Sequence, residues 1–185
     1  YNSRHLIIYD PPGEAFNSDE GIETYAHFVQ RARVVLFLVS LVDLDEPKAS
    51  DLHRLLEIYV LGMAKMKAQT RHQHLIVAYT KADRLQEVFA RHPSVLAHLS
   101  HANHPLLATP KRYLGALRTV SDELASYTER DLGATDFIRL ARREFKSVVF
   151  CALSALGSAP EDGRLATAIE PRGVADPLIW LLDKS

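Results

Sequence analysis

The run Leu75-Ile76-Val77-Ala78-Tyr79 constrains this chain more than any other stretch. It is apolar throughout, brief, and without alternation, which suits a strand of a parallel sheet covered on both faces. Three more runs share that character: His5-Leu6-Ile7-Ile8-Tyr9, Val34-Val35-Leu36-Phe37-Leu38-Val39 and Ser147-Val148-Val149-Phe150-Cys151. Between them the apolar spacing turns helical. Ser18 is placed to cap a helix over about 19–32, with Ile22, Tyr25, Ala26, Val29 and Ala32 on one face. Asp45, Glu46 and Pro47 open a second, whose Leu52, Leu55, Leu56, Tyr59, Val60 and Met63 form a core-facing stripe. Asp176 caps and Pro177 starts a last helix carrying Leu178, Ile179, Trp180, Leu181 and Leu182. Buried strands alternating with helices predict an α/β fold, a doubly wound and mainly parallel sheet flanked by helices, in one domain over 1–185.

Residues 84 to about 146 break the alternation. They hold no buried-strand run, and their helical stretches are interrupted at His92-Pro93, His104-Pro105 and Thr109-Pro110. Tyr113, Leu117, Val120, Leu124 and Tyr127 share one face; Phe137, Ile138, Ala141 and Phe145 share another. This reads as a helical insertion of roughly sixty residues, far longer than a usual connection in an α/β unit.

Composition excludes several classes of function. With 47% hydrophobic residues, 24% charged and a net charge of −1, the 185-residue chain has the makeup of a globular domain and no electrostatic case for nucleic acid or an anionic membrane. No apolar run approaches the length of a membrane span. The single cysteine, Cys151, excludes an intrachain disulfide and agrees with a cytoplasmic location; inside an apolar strand it reads as a small buried hydrophobe. His92, His98, His101 and His104 lack a cysteine or well-placed carboxylate to complete a zinc set, and read as surface histidines. Arg139, Arg142, Arg143 and Lys146 read as a solvated helix face.

Chemistry concentrates where the strands end. Thr80-Lys81-Ala82-Asp83 follows the strand at 75–79, at the carboxyl edge where open α/β sheets bind ligands. The Asp83 carboxylate is acceptor-only and can take two parallel hydrogen bonds. Guanine offers such a pair, a ring N–H beside an amino group, and adenine does not. The stem of Lys81 suits a purine face, and the Thr80 hydroxyl can hold the loop. The bland alternative is that Asp83 caps a helix beginning near Arg84. Asp10-Pro11-Pro12-Gly13 closes the first strand as a sharp turn that needs no ligand to explain it. Ser154-Ala155-Leu156 follows the last strand.

Taken in order, Asp10-x-x-Gly13, Thr80-Lys81-x-Asp83 and Ser154-Ala155-x resemble the P-loop GTPases, of the Ras-like and translation-factor class, and the final helix resembles that of bacterial paired-GTPase systems. The resemblance covers about 5–83 and 147–184 and leaves out the insertion. It implies GTP/GDP and Mg²⁺ as ligands and GTP hydrolysis as a molecular switch. Asp10 would bind Mg²⁺ through water. The Gly13 N–H would sense the γ-phosphate, an approach a Cβ would obstruct. Glu14 stands where many members carry a glutamine that orients the attacking water. An ionised carboxylate cannot donate a hydrogen bond, so Glu14 is either a base or a solvated turn residue. Asp83 would read the guanine, supported by Lys81 and Thr80. The Ala155 N–H would meet the guanine carbonyl, and Ser154 would shape that loop. Leu156 stands where some relatives carry lysine.

One part of the pattern is missing. No Gly-x-x-x-x-Gly-Lys-Ser/Thr occurs. The resemblance places that phosphate loop upstream of Tyr1, so the chain is expected to be the C-terminal portion of a GTPase-like domain and to hydrolyse GTP poorly or not at all alone. The alternative is a catalytically inactive GTPase-like scaffold, whose insertion over 84–146 binds a protein partner or neighbouring domain. An unrelated Rossmann-like domain is a third reading, and it lacks any Gly-x-Gly-x-x-Gly.

Overall fold

A computed structural model describes residues 7–8, 18–25, 27–40, 42, 49–85, 87–100, 109–158 and 168–184. Three of the expected strands form: β1 (Val34–Val39), β2 (His74–Tyr79) and β3 (Ser147–Ala152). They pair in parallel in the order β1-β2-β3, with Val34 beside His74 and His74 beside Ser147. This register brings Val39, Tyr79 and Ala152 abreast, so the three carboxyl ends form one level edge. Every residue of β2 is buried, as its unbroken apolar run requires of a central strand.

The fourth expected strand is not found in its two described residues. Ile7 and Ile8 carry no regular structure and are 72% and 70% exposed. A lone strand has no ladder to satisfy its backbone, and no described segment pairs with the outer side of β1.

Helices cover both faces. Leu75, Val77 and Tyr79 point to one side, where α2 (Ala49–Lys65) supplies Leu52, Leu56, Tyr59 and Met63, and α5 (Thr135–Glu144) supplies Phe137, Ile138 and Ala141. Leu55, expected in the α2 stripe, is exposed and Val60 half-buried. Ile76, Ala78, Val149 and Cys151 point to the other side, against Trp180 of α6 (Asp176–Lys184) and Tyr113 and Leu117 of α4 (Pro110–Ser126). The helix expected over 19–32 divides into α1 (Asp19–Tyr25) and a 3₁₀ turn at His27–Arg31, and Ser18 caps α1 by accepting the Gly21 N–H at 3.2 Å. Gln73 ties that turn to the sheet: its amide donates to the carbonyls of Val29 (2.8 Å) and Ala32 (2.9 Å) and accepts the Tyr59 hydroxyl at 2.9 Å.

The connection from β2 to β3 is helical, as its spacing predicts, and it forms part of the core. After α3 (Pro93–Leu99), α4 runs along the outer edge of β3, where the Ser121 hydroxyl accepts the Phe150 N–H at 2.9 Å. Its Tyr113 and Leu117 serve one side of the sheet, and Val120, Leu124 and the following Tyr127 serve the other. The β3 edge is thereby covered, whereas no described segment pairs with the outer edge of β1. Leu36 and Leu38 of β1, on the same face as Ile76 and Ala78, are 45% and 60% exposed.

Candidate functional site

The level edge of the sheet brings two of the three sequence motifs together. Thr80 leaves β2 with its N–H on the Val39 carbonyl (2.9 Å) and its hydroxyl turned to the same oxygen (3.4 Å), which ties the loop to the end of β1. Lys81 then takes φ +55°, the left-handed region that few residues other than glycine adopt. This reversal presents the Ala82 N–H to the Leu153 carbonyl at 3.0 Å, while the Leu153 N–H meets the Tyr79 carbonyl at 2.8 Å. The Thr-Lys-x-Asp loop and the segment entering Ser154-Ala155 are therefore hydrogen-bonded side by side.

Asp83 sits in the 3₁₀ turn Ala82–Leu85. It is half-buried, and among the described residues its carboxylate has neither a hydrogen-bond nor an ion-pair partner. The helix-cap alternative is thus not realised there. Ala82 is fully buried beneath it, while Lys81 is exposed.

The second loop is a tight turn held from three directions. The Ser154 hydroxyl, 1% exposed, accepts the Gly157 N–H at 2.8 Å. Ser154 and Arg172 exchange both backbone hydrogen bonds, at 2.9 and 2.8 Å, and the Glu170 N–H reaches the Leu156 carbonyl at 3.1 Å. Gly157 has φ +80°, and a Cβ there would lie 2.2 Å from the Glu170 carbonyl oxygen, so only glycine fits. Ala155 and Leu156 form the exposed tip, and the Ala155 N–H has no acceptor among the described residues. The two neighbouring loops thus present an unpaired carboxylate and a backbone N–H without an acceptor among the described residues.

Asp10, Gly13 and Glu14, assigned to Mg²⁺, γ-phosphate and the attacking water, lie outside the described residues, as do His101 and His104. Among the described residues no group of three or more histidine, cysteine, aspartate or glutamate side chains is placed to hold a metal, and no helix is long and apolar enough to cross a membrane. A shallow concavity lined by Val60, Thr70, Arg71 and Glu144 lies at the amino ends of β2 and β3, away from both loops.

A buried polar cluster around Asp176 has no counterpart among the sequence motifs. His98, expected at the surface, is buried with Nε2 2.7 Å from Asp176 Oδ2. Asp176, expected as a helix cap, is fully buried, and its other oxygen accepts the Tyr113 hydroxyl. Burial, and then the hydrogen bond to Asp176, hold the Tyr113 phenol far above its ordinary range. Burial, with the Asp176 charge adding, also pushes the Cys151 thiol up, which keeps it an unreactive thiol as its place in β3 suggests. His92 is likewise buried, beside Asp131 at 3.3 Å. Only Gly173 offered a local signal: with φ +65° and the Ala152 carbonyl 2.4 Å from where its Cβ would lie, it marks a close crossing of chains.

No protein-family model matches this chain, and neither does any curated protein or solved structure.

Proposed function

We propose that this chain reads a guanine base at the carboxyl edge of its sheet. Asp83 accepts the ring N–H and amino group, the Ala155 N–H donates to the carbonyl, and the Lys81 stem lies along the purine face. The observation that carries the reading is the Ala82 N–H to Leu153 carbonyl bond, which sets the two motif-bearing loops against each other at adjacent parallel strands. The free carboxylate of Asp83 adds to it, since a half-buried charge gains most from a partner that brings its own donors.

In this reading the chain is the base-recognising portion of a P-loop GTPase-like domain. Phosphate binding and hydrolysis require a backbone cradle, a lysine and Mg²⁺, which supply most of the electrostatic stabilisation of phosphoryl transfer. Asp10 would contribute to the Mg²⁺ site, and a phosphate loop would come from an upstream segment. β1 is the outermost described strand, and its free edge leaves room for a further strand beside it. The test is a fluorescent-nucleotide titration with Mg²⁺, comparing GDP, GTP and ATP analogues on this chain and on an N-terminally extended one. Two hydrogen bonds to a charged acceptor are worth about 3 kcal/mol or more, so Asp83→Ala should weaken GDP binding at least about 100-fold. Equal affinity for guanine and adenine nucleotides in both chains would refute the reading.

A further inference from the structure

Asp176 is fully buried, and both its oxygens are engaged by residues distant in sequence: His98 on α3 at 2.7 Å and Tyr113 on α4. A carboxylate in that position is costly without partners, so the start of α6 and the α3–α4 pair are bound to move together. The grip continues four residues back, where Arg172 Nη1 donates to the Leu99 carbonyl at the end of α3 at 3.0 Å. Between these two anchors lies Gly173, packed against both the Ala152 carbonyl and the Asp176 carboxylate. On its other side Arg172 holds Ser154 by two backbone hydrogen bonds, and Ser154 in turn holds Gly157. A continuous series of short polar contacts thus runs from α3 and α4 to the turn that presents the Ala155 N–H, with Asp176, Tyr113, His98 and Ser154 all buried along it.

We propose that His98, Tyr113 and Asp176 form a positioning lock through which α3 and α4 hold the Ser154–Gly157 turn in its base-reading shape. The proposal rests on the guanine reading above and assigns these three residues no contact with the base. Its consequence is regulatory. Withdrawal of α3 removes partners from Asp176 and Arg172 at once, so anything that binds α3 and shifts it must change affinity at the Ala155 N–H, and the coupling is reciprocal.

The test uses Tyr113→Phe, which keeps the ring and deletes one bond, and Asp176→Asn, with His98→Gln as the conservative variant that can still donate to Asp176. Amide hydrogen exchange read residue by residue in the ligand-free chain reports the lock itself. The lock predicts at least about tenfold faster exchange at Ser154 and Gly157 in the first two variants, unchanged exchange at Ile76 to Ala78, and near wild-type behaviour in His98→Gln. The second readout compares GDP with 6-thioguanosine diphosphate, which keeps the ring N–H and amino group for Asp83 but offers sulfur, a poorer acceptor, in place of the carbonyl that Ala155 reads. Tyr113→Phe should weaken GDP about tenfold and the analogue by less, a split that general destabilisation would not produce. Unchanged exchange at the turn, or faster exchange spread equally over β2, overturns the lock. Faster exchange confined to the turn, in a chain with no guanine preference, overturns the nucleotide reading and leaves the lock in place.

Discussion

Replacing Gly157 by alanine tests the geometry of the second loop directly. A left-handed backbone costs a non-glycine residue roughly 1–2 kcal/mol. The new Cβ would also lie 2.2 Å from the Glu170 carbonyl oxygen, a backbone atom with no rotamer to turn away. Relieving that contact separates the 154–157 turn from the segment at Glu170. It stretches the Gly157 N–H to Ser154 bond (2.8 Å) and the Glu170 N–H to Leu156 bond (3.1 Å). At about 1 kcal/mol for each of the two bonds, added to the backbone cost and less about 0.5 kcal/mol for the reduced freedom of the unfolded chain, the net cost is about 2.5–3.5 kcal/mol. With a urea m-value of about 2 kcal/mol/M for a domain of this size, the midpoint should fall by about 1.2–1.8 M. Gly115 provides the control: it lies in α4 with nothing within 4 Å of an added Cβ, so Gly115→Ala should gain about 0.8–1 kcal/mol from helix propensity. If the two substitutions shift the urea midpoint the same way, or Gly157→Ala leaves it unmoved, the account of this turn is wrong.

Three further outcomes are expected. Gln73→Leu strips partners from Val29, Ala32 and Tyr59 together and should cost about 3 kcal/mol or more, against about 1 kcal/mol for Tyr59→Phe, in parallel urea titrations; equal losses would contradict the network. Ser121→Ala leaves the Phe150 N–H facing α4 without an acceptor and should cost about 1–3 kcal/mol, largely restored in Ser121→Thr, as thermal melts of the three chains would show. His74, bonded to Ser147, has its pKa lowered from about 6.5, first by burial and then by Lys146 and Lys184, with Asp183 opposing. The unfolded chain therefore takes up this proton first. The stability from neutral His74 is complete above about pH 6.5 and is lost as pH falls below it toward the depressed value. His74→Gln should flatten that part of the stability–pH curve, and an unchanged slope would remove His74 from the account.

The strands and helix faces were legible because they rest on local periodicity. Val34–Val39, His74–Tyr79 and Ser147–Ala152 announce themselves as short apolar runs, and Tyr113 to Tyr127 as a helical stripe. What the stripe does not reveal is that α4 lies along an edge, so that one row of side chains divides between the two sides of the sheet. The run at Ile7 and Ile8 has the same local character as the others, yet pairing is non-local, and those two residues are exposed. In the site, the residue types at Thr80–Asp83 and Ser154–Ala155 were readable, while the bond between Ala82 and Leu153 that joins the loops was not. Asp176 was the least legible: its partners His98 and Tyr113 lie 78 and 63 residues away, and a single polar residue carries no period.

The register of β2 and β3 has a kinetic consequence. His74 and Ser147, which open that pairing, are 73 residues apart, so the contact closes one of the longest loops in the chain and carries a correspondingly high contact order. Both candidate recognition loops hang from this pair of strands, one on each. The site therefore cannot assemble from an early, local part of the fold; it exists only once the last third of the chain has docked. A ligand that bridges Asp83 and Ala155 would bind the completed domain alone, and by mass action would hold this long-range pairing closed.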